Sequence, residues 1–252
     1  MKRFGIALIW MGLSIGMPVS SFCAEDDPKE ADSAEPKEKK PQKPIAFIDI
    51  SNSKEGSYPG GSTPKKGKWY VDASAKKLKV AVEPLVEAWF EFGPEIREKG
   101  ATIQAMGRAP SEARVKSRMG VGLYGHNGFQ LRLLFAKNEL EIVRRGEILK
   151  SVPYRLKVAQ LYRMELSVIE DEDNWLISGR VWEDDAIRPA EPSITDRALG
   201  DELLFPLAGR PVLVATPFSG VPVEFAAAKV FDGEYEVVPD DEPAESDEKS
   251  MK

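Results

Sequence analysis

The sequence predicts an all-β fold, a two-sheet antiparallel β-sandwich. Residues 120–182 alternate apolar and polar side chains, as strands with one buried face do. Turn residues interrupt this alternation about every eight to twelve positions, the spacing typical of sandwiches. No stretch keeps a helical period long enough to build a helical layer.

The central strands lie between 129 and 143. Phe129, Leu131 and Leu133 are expected to point to one face of a strand, with Gln130 and Arg132 on the other. Asn127-Gly128 predicts the hairpin turn before this strand, because both residues tolerate positive φ. A second turn is predicted at residues 144–146, Arg-Arg-Gly.

A second hairpin is predicted between Tyr162–Ile169 and Trp175–Trp182, joined by the acidic turn 170–174. Composition alone would also allow a helix over 161–169, but the alternating apolar residues favour a strand. Trp175 and Trp182 are seven positions apart, so an unbroken strand places them on opposite faces. We expect one of them to belong to the core.

Shorter strands are predicted on both sides of this region. Residues 188–207 are read as an irregular excursion, and proline and glycine mark the turns between the other strands. The remaining predicted strands are 45–50, 69–71, 78–82, 88–92, 101–106, 210–215 and 221–230.

The first 24 residues are typical of a secretory signal peptide. Lys2 and Arg3 precede a short apolar run, and small residues follow Pro18. A retained membrane anchor is the alternative, but a span needs about 20 apolar residues. Cys23 is the only cysteine, which leaves the folded part without a disulfide; the preceding Phe22 argues against a lipid-anchored cysteine.

Charged segments flank the predicted domain, residues 45–231. Residues 25–44 form a Glu/Lys/Pro-rich tether and residues 232–252 an acidic tail, both too poor in apolar side chains to fold alone. The chain carries a net charge of −6. The signal contributes +2, the tether −2 and the tail −7, which leaves +1 on the domain. A nearly neutral domain argues against nucleic acid as a partner.

Three motifs give the chain a family resemblance. GVGLYGHNGFQLRL begins at Gly120, WLISGRVW spans 175–182 and is followed by Pro189 and Pro192, and GRPVLVATPFSGVPVEFAAAKVF ends at Phe231. In this order they resemble the concanavalin A-like, laminin-G-like jelly rolls of exported bacterial proteins, in the glycoside-hydrolase-16-like or keto-disaccharide-hydrolase-like variety. The resemblance implies two packed antiparallel sheets, one of them concave, with the closing strand paired beside the first.

The resemblance does not carry the glycosidase motif with it. Family-16 glycosidases resemble one another in a strand with Glu-x-Asp-x-x-Glu, whose carboxylates act as nucleophile and acid/base. Here that pattern occurs at 25–30 and 30–35, both in the tether. The nearest approach inside the domain begins at Glu183, but Arg188 stands at the last carboxylate position.

Other chemistries have few residues to use. His126 is the only histidine, so a Ser/His/Asp triad would need it, although a polar turn residue is the ordinary explanation. No His/Cys cluster suits zinc. We therefore expect no cofactor, with calcium at the acidic turns 170–173 and 183–185 as the alternative.

These observations predict an exported, non-catalytic binding module for carbohydrate or another envelope component, in the periplasm or at the cell surface. A glycoside hydrolase with an unrecognised carboxylate site and a structural envelope scaffold are the alternatives. A sugar would stack on an aromatic ring. The candidates are Trp182 and Trp175, then Tyr124 and His126. The sequence predicts no membrane span after signal cleavage and leaves the oligomeric state open.

Overall fold

The computed structural model describes residues 41–50, 53–83, 86–97, 100–110, 116–200, 207–218 and 221–236. The predicted signal peptide, residues 25–40 of the tether and residues 237–252 of the tail lie outside these ranges. The described residues form strands and turns. No helix among them could span a membrane.

Seventeen strands are present in the described ranges. In chain order they are β1 Ala46–Ile48, β2 Thr63–Lys66, β3 Trp69–Asp72, β4 Lys77–Val80, β5 Ala88–Glu91, β6 Ile96–Arg97, β7 Gly100–Arg108, β8 Arg118–Leu123, β9 Phe129–Leu134, β10 Glu139–Arg144, β11 Glu147–Pro153, β12 Leu161–Asp171, β13 Asn174–Glu183, β14 Ile194–Leu199, β15 Ala208–Gly209, β16 Val212–Thr216 and β17 Val223–Asp232.

Two large antiparallel sheets contain nearly all of these strands. The first sheet has the order β14-β13-β12-β7-β17-β4-β3, and β1 also pairs with β17. The second sheet has the order β11-β10-β9-β8-β16-β5-β2. Ala46 of β1 lies opposite Val230 of β17. The expected return of the closing strand to the first one is therefore confirmed, as is the two-sheet sandwich.

The core lies between the two sheets and follows the predicted alternation. In β9, Phe129, Leu131 and Leu133 are fully buried. Trp69 of the first sheet packs against Phe90 of the second, with ring centroids 5.2 Å apart. Large aromatic side chains from both sheets therefore fill the interior, which is the main source of apolar burial in such a fold.

The hairpin turns are largely as predicted. Arg145 and Gly146 form the two-residue turn between β10 and β11, with φ of 51° and 82°. Before β9 the positive φ values fall on Tyr124 (64°) and Gly125 (77°), not on Asn127-Gly128. That part of the turn prediction was wrong because the connection between β8 and β9 is longer than two residues. The two residues with positive φ are the first two of this connection.

The predicted irregular excursion 188–207 contains a strand, β14. Ile194 pairs with Gly179 of β13 and Ala198 with Trp175. Both are buried on the core side, but Asp196 lies between them on the same side, which breaks the apolar alternation. The prediction failed here because an edge strand with one polar inward position has a weak sequence pattern.

A buried ion-pair cluster lies on the outer face of the first sheet. The carboxylate of Glu165 is 1% exposed. It accepts hydrogen bonds from Arg180 Nη1 at 2.9 Å, Arg188 Nη2 at 2.6 Å and Gln104 Nε2 at 2.9 Å. Because Arg188 follows β13 in the chain, this cluster fixes the segment after β13 onto the sheet.

Candidate functional site

His126 lies over the outer face of the second sheet. It follows β8 in the turn before β9, and its ring stacks on Trp89 of β5, with centroids 3.9 Å apart and planes 7° from parallel. Ala88 and Phe90, on either side of Trp89, point into the core, so alternation directs Trp89 outward. The stack is half-buried, and it places an aromatic surface on the outside of the sheet.

Gln130 holds the imidazole and a neighbouring guanidinium in place. Its amide nitrogen donates to the His126 carbonyl oxygen and lies 3.3 Å from His126 Nδ1. Its amide oxygen accepts from Arg132 Nε at 2.9 Å. Gln130 is 1% exposed, so this network is fixed. With Nδ1 as acceptor, the neutral imidazole carries its proton on Nε2.

Glu87 faces both Arg132 and His126. One carboxylate oxygen lies 2.7 Å from Arg132 Nη2 and the other 3.6 Å from His126 Nε2. Lys66 lies 5.1 Å from the centre of the Trp89 ring. We call these residues the histidine face: Glu87, Trp89, His126, Gln130 and Arg132.

Burial lowers the pKa of His126 below its ordinary value, and the carboxylate of Glu87 opposes that shift. The imidazole is therefore neutral at pH 7. A lowered pKa in the folded state means that the unfolded chain binds the proton more readily. The stability that His126 contributes is complete above about pH 6.5 and is lost as the pH falls below that value.

Two glycines of β8 lie beneath the histidine face. Gly120 pairs with Arg132 and Gly122 with Gln130. A Cβ on Gly122 would lie 2.7 Å from Val212 Cγ2 and 3.0 Å from Gln130 Cγ. Glycine is favoured here because a Cβ would crowd Val212 and the side chain of Gln130, whose amide contacts His126.

A polar cavity of about 480 Å³ opens beside His126. Its lining includes Glu91, Glu95, Asn127 and Arg210. Arg210 Nε donates to the Gly93 carbonyl at 2.8 Å, and its Nη2 donates to the Gly61 carbonyl. Carboxylate, amide and guanidinium groups thus surround one space next to an aromatic ring, an arrangement suited to a ligand rich in hydroxyl groups.

Of the other predicted site residues, Tyr124 lines the same cavity as His126, and the two tryptophans lie elsewhere. Trp175 and Trp182 lie on opposite faces of β13, as expected from their spacing. Trp175 packs against the core and meets the Tyr124 ring edge-on at 6.3 Å. Tyr124 is 4% exposed, and burial raises its pKa. Both residues therefore contribute to packing in this structure, and a role for either in ligand binding stays a prediction.

Trp182 lies on the outer face of the first sheet. It is 8% exposed and lines a separate cavity of about 260 Å³. None of the other three candidates, Trp175, Tyr124 and His126, lies beside Trp182 in this cavity. His126 and Trp182 lie on opposite outer faces of the sandwich.

Trp89, Glu87 and the glycine pair Gly120 and Gly122 were not predicted from the sequence. A signal for Trp89 was present, because the alternation of Ala88, Phe90 and Phe92 directs Trp89 and Glu91 to the other face.

Within the described ranges, no group of three or more His, Cys, Asp or Glu side chains is placed to hold a metal ion.

Solved structures similar to this chain include a carbohydrate recognition domain and a seed lectin. No protein-family model matches the chain, and no curated protein does. The metal-free Emp46p carbohydrate recognition domain has a TM-score of 0.52 at 9% identity, covering 75% of this chain and 96% of that domain. The Lotus tetragonolobus seed lectin has a TM-score of 0.50 at 8% identity, covering 74% and 97%.

A bifunctional GH43-CE protein of Bacteroides eggerthii has a TM-score of 0.54 at 13% identity, covering 74% of this chain but 27% of that protein. Identities this low carry the fold alone. The strand order and these likenesses together show that the chain has the concanavalin A-like jelly-roll fold.

Proposed function

We propose that this protein is an exported, non-catalytic module that binds carbohydrate at the histidine face. The observation that carries the proposal is the aromatic stack of His126 on Trp89 at the rim of a polar cavity. The lectin and carbohydrate recognition domains that share the fold support it. The N-terminal pattern of Lys2, Arg3 and a short apolar run supports export.

The chemistry of a sugar ring fits this arrangement. A pyranose has apolar C–H faces and a rim of hydroxyl groups. One face can pack on an aromatic ring and exclude water at small entropic cost, while the hydroxyls need paired donors and acceptors. Asn127, Arg210 and Glu91 supply those groups from the cavity wall. The contacts of the His126 ring with Trp89 and Gln130 preorganise it, which lowers the cost of binding.

A glycoside hydrolase is the second candidate, because Glu91 and Glu95 line the same cavity. Hydrolysis requires two carboxyl groups that flank the scissile bond. Both groups here are engaged by cations: Glu91 lies 3.5 Å from Lys65, and Glu95 lies 3.1 Å from Arg97. These contacts favour binding over catalysis.

We expect His126→Ala to lower retention on the bound polysaccharide at least ten-fold. The variant removes one half of the stack, which is worth about 1 kcal/mol of folding stability, so the protein stays folded. The measurement is co-sedimentation of the full chain with cellulose, chitin and β-1,3-glucan particles, with the melting temperature recorded in parallel.

Asn174→Ala is the matched control, since Asn174 is a polar residue beside the β12–β13 turn on the other sheet. It should bind like the unaltered chain. Equal retention by His126→Ala would reject the histidine face as the site. Reducing sugar released by the unaltered chain and lost on Glu91→Gln would replace the binding module with the hydrolase.

A further inference from the structure

The outer face of the first sheet carries a groove that the histidine face does not reach. Four side chains in register cross it: Trp182 of β13, Arg163 of β12, Met106 of β7 and Ala227 of β17. The space above this row, about 260 Å³, is the tryptophan groove. Its floor is apolar, since Met106, Ala227 and the indole of Trp182 form it.

The polar residues of the groove are positive or neutral. In the next row Gln104 lies opposite Lys229, and both line the groove. None of its lining residues is acidic. Arg163 Nε already donates to Asp184 at 2.7 Å. Lys229 is exposed and makes no ion pair within the described ranges, so its charge is available to a ligand.

The neighbouring carboxylate cannot neutralise Lys229. Glu165 is adjacent to Gln104 in the register, but Arg180 and Arg188 already bind both of its oxygens. The amide nitrogen of Gln104 donates a hydrogen bond to the same carboxylate at 2.9 Å. The amide oxygen of Gln104 can therefore accept a hydrogen bond from a ligand. The groove thus combines an apolar floor, one acceptor and an uncompensated positive charge.

We propose that the tryptophan groove is a second binding site, which takes a single hexuronate residue of an acidic polysaccharide. The apolar face of the sugar ring packs on Met106 and on the exposed part of Trp182, whose side chain is otherwise buried. Its carboxylate pairs with Lys229, and a ring hydroxyl donates to the amide oxygen of Gln104. A small inorganic anion would use Lys229 but would leave the apolar surface of Met106 and Ala227 uncovered, whereas a sugar acid uses both.

The chemistry of the lining favours a sugar acid. The groove of about 260 Å³ has room for one monosaccharide ring, and a hexuronate brings both an apolar ring face and a carboxylate to it. An acidic peptide remains as an outcome of the test.

The test is calorimetric titration of the full chain with trigalacturonate and with a neutral trisaccharide. Trigalacturonate should bind with an affinity that falls as salt is raised, because the pairing is charge-assisted and partly exposed. Lys229→Gln should weaken that binding at least five-fold without changing the melting temperature, since Lys229 makes no ion pair with any of the residues that the structure describes. Lys150→Gln, an exposed lysine on β11 of the other sheet, should leave it unchanged.

Trp182→Leu should weaken trigalacturonate binding while His126→Ala should not, so failure here is separate from failure of the histidine face. The proposal is overturned if trigalacturonate does not bind at millimolar concentration or if Lys229→Gln leaves its affinity intact. It is also overturned if an acidic peptide such as hexaglutamate, but not the sugar acid, depends on Lys229.

Discussion

Replacing Glu165 with alanine is expected to lower the free energy of unfolding by about 3–5 kcal/mol, because it leaves the partly buried guanidiniums of Arg180 and Arg188 without their anion. Arg180 is 8% exposed, and its Nε has no hydrogen-bond partner in the described ranges even in the intact protein. The loss should also release the segment after β13, which Arg188 ties to the sheet. Urea unfolding followed by tryptophan fluorescence measures the change.

Glu147→Ala is the control for this experiment. Glu147 lies at the start of β11 and is exposed, so its removal should change stability by less than about 0.5 kcal/mol. If the two variants were equally stable, the ion pairs of Glu165 would contribute nothing to the free energy of unfolding. Many ion pairs at protein surfaces behave in that way.

Replacing Trp89 with alanine is expected to weaken binding of a neutral polysaccharide at least ten-fold, or about 1.4 kcal/mol. Trp89 supports the His126 ring from below at 3.9 Å. Without that support the imidazole loses its fixed position, and the ligand loses an ordered aromatic surface. Depletion binding with soluble β-glucan and chitin oligosaccharides measures the affinity.

Trp182→Phe is the matched control, because it alters a tryptophan on the opposite outer face and keeps an aromatic ring. Its affinity for the neutral sugar should equal that of the unaltered chain. If Trp182→Phe abolished binding of the neutral sugar and Trp89→Ala did not, the neutral sugar would bind in the tryptophan groove and not at the histidine face.

Much of the fold was predictable because the core faces one side of each strand. Phe129, Leu131 and Leu133 alternate without interruption, and the Arg145-Gly146 turn has the two positive φ values typical of a two-residue hairpin, with glycine at the second position. The strand β14 was not predictable in the same way, since an edge strand pairs on one side only and tolerates Asp196 among its inward positions.

The candidate site was predictable only in part, because its contacts join distant residues. His126 was identifiable as the single histidine of the chain. Its partner Trp89 precedes it by more than thirty positions and meets it only after β5 and β8 have both paired with β16. Alternation predicted that Trp175 and Trp182 lie on opposite faces of their strand, but it did not predict which of them faces outward. The separation of Trp182 from His126 depends on which sheet each strand joins.

Binding of a neutral sugar at the histidine face is tested most directly by nuclear magnetic resonance. The ¹⁵N-labelled full chain is titrated with cellohexaose, chitohexaose and laminarihexaose in turn. For at least one sugar we expect shifts at the Trp89 indole N–H, at the amides of Gly125, His126 and Asn127, and at Arg210, while the Trp182 indole signal stays in place. Shifts confined to Trp182 and its neighbours, or no shift with any of the three sugars, would contradict the account.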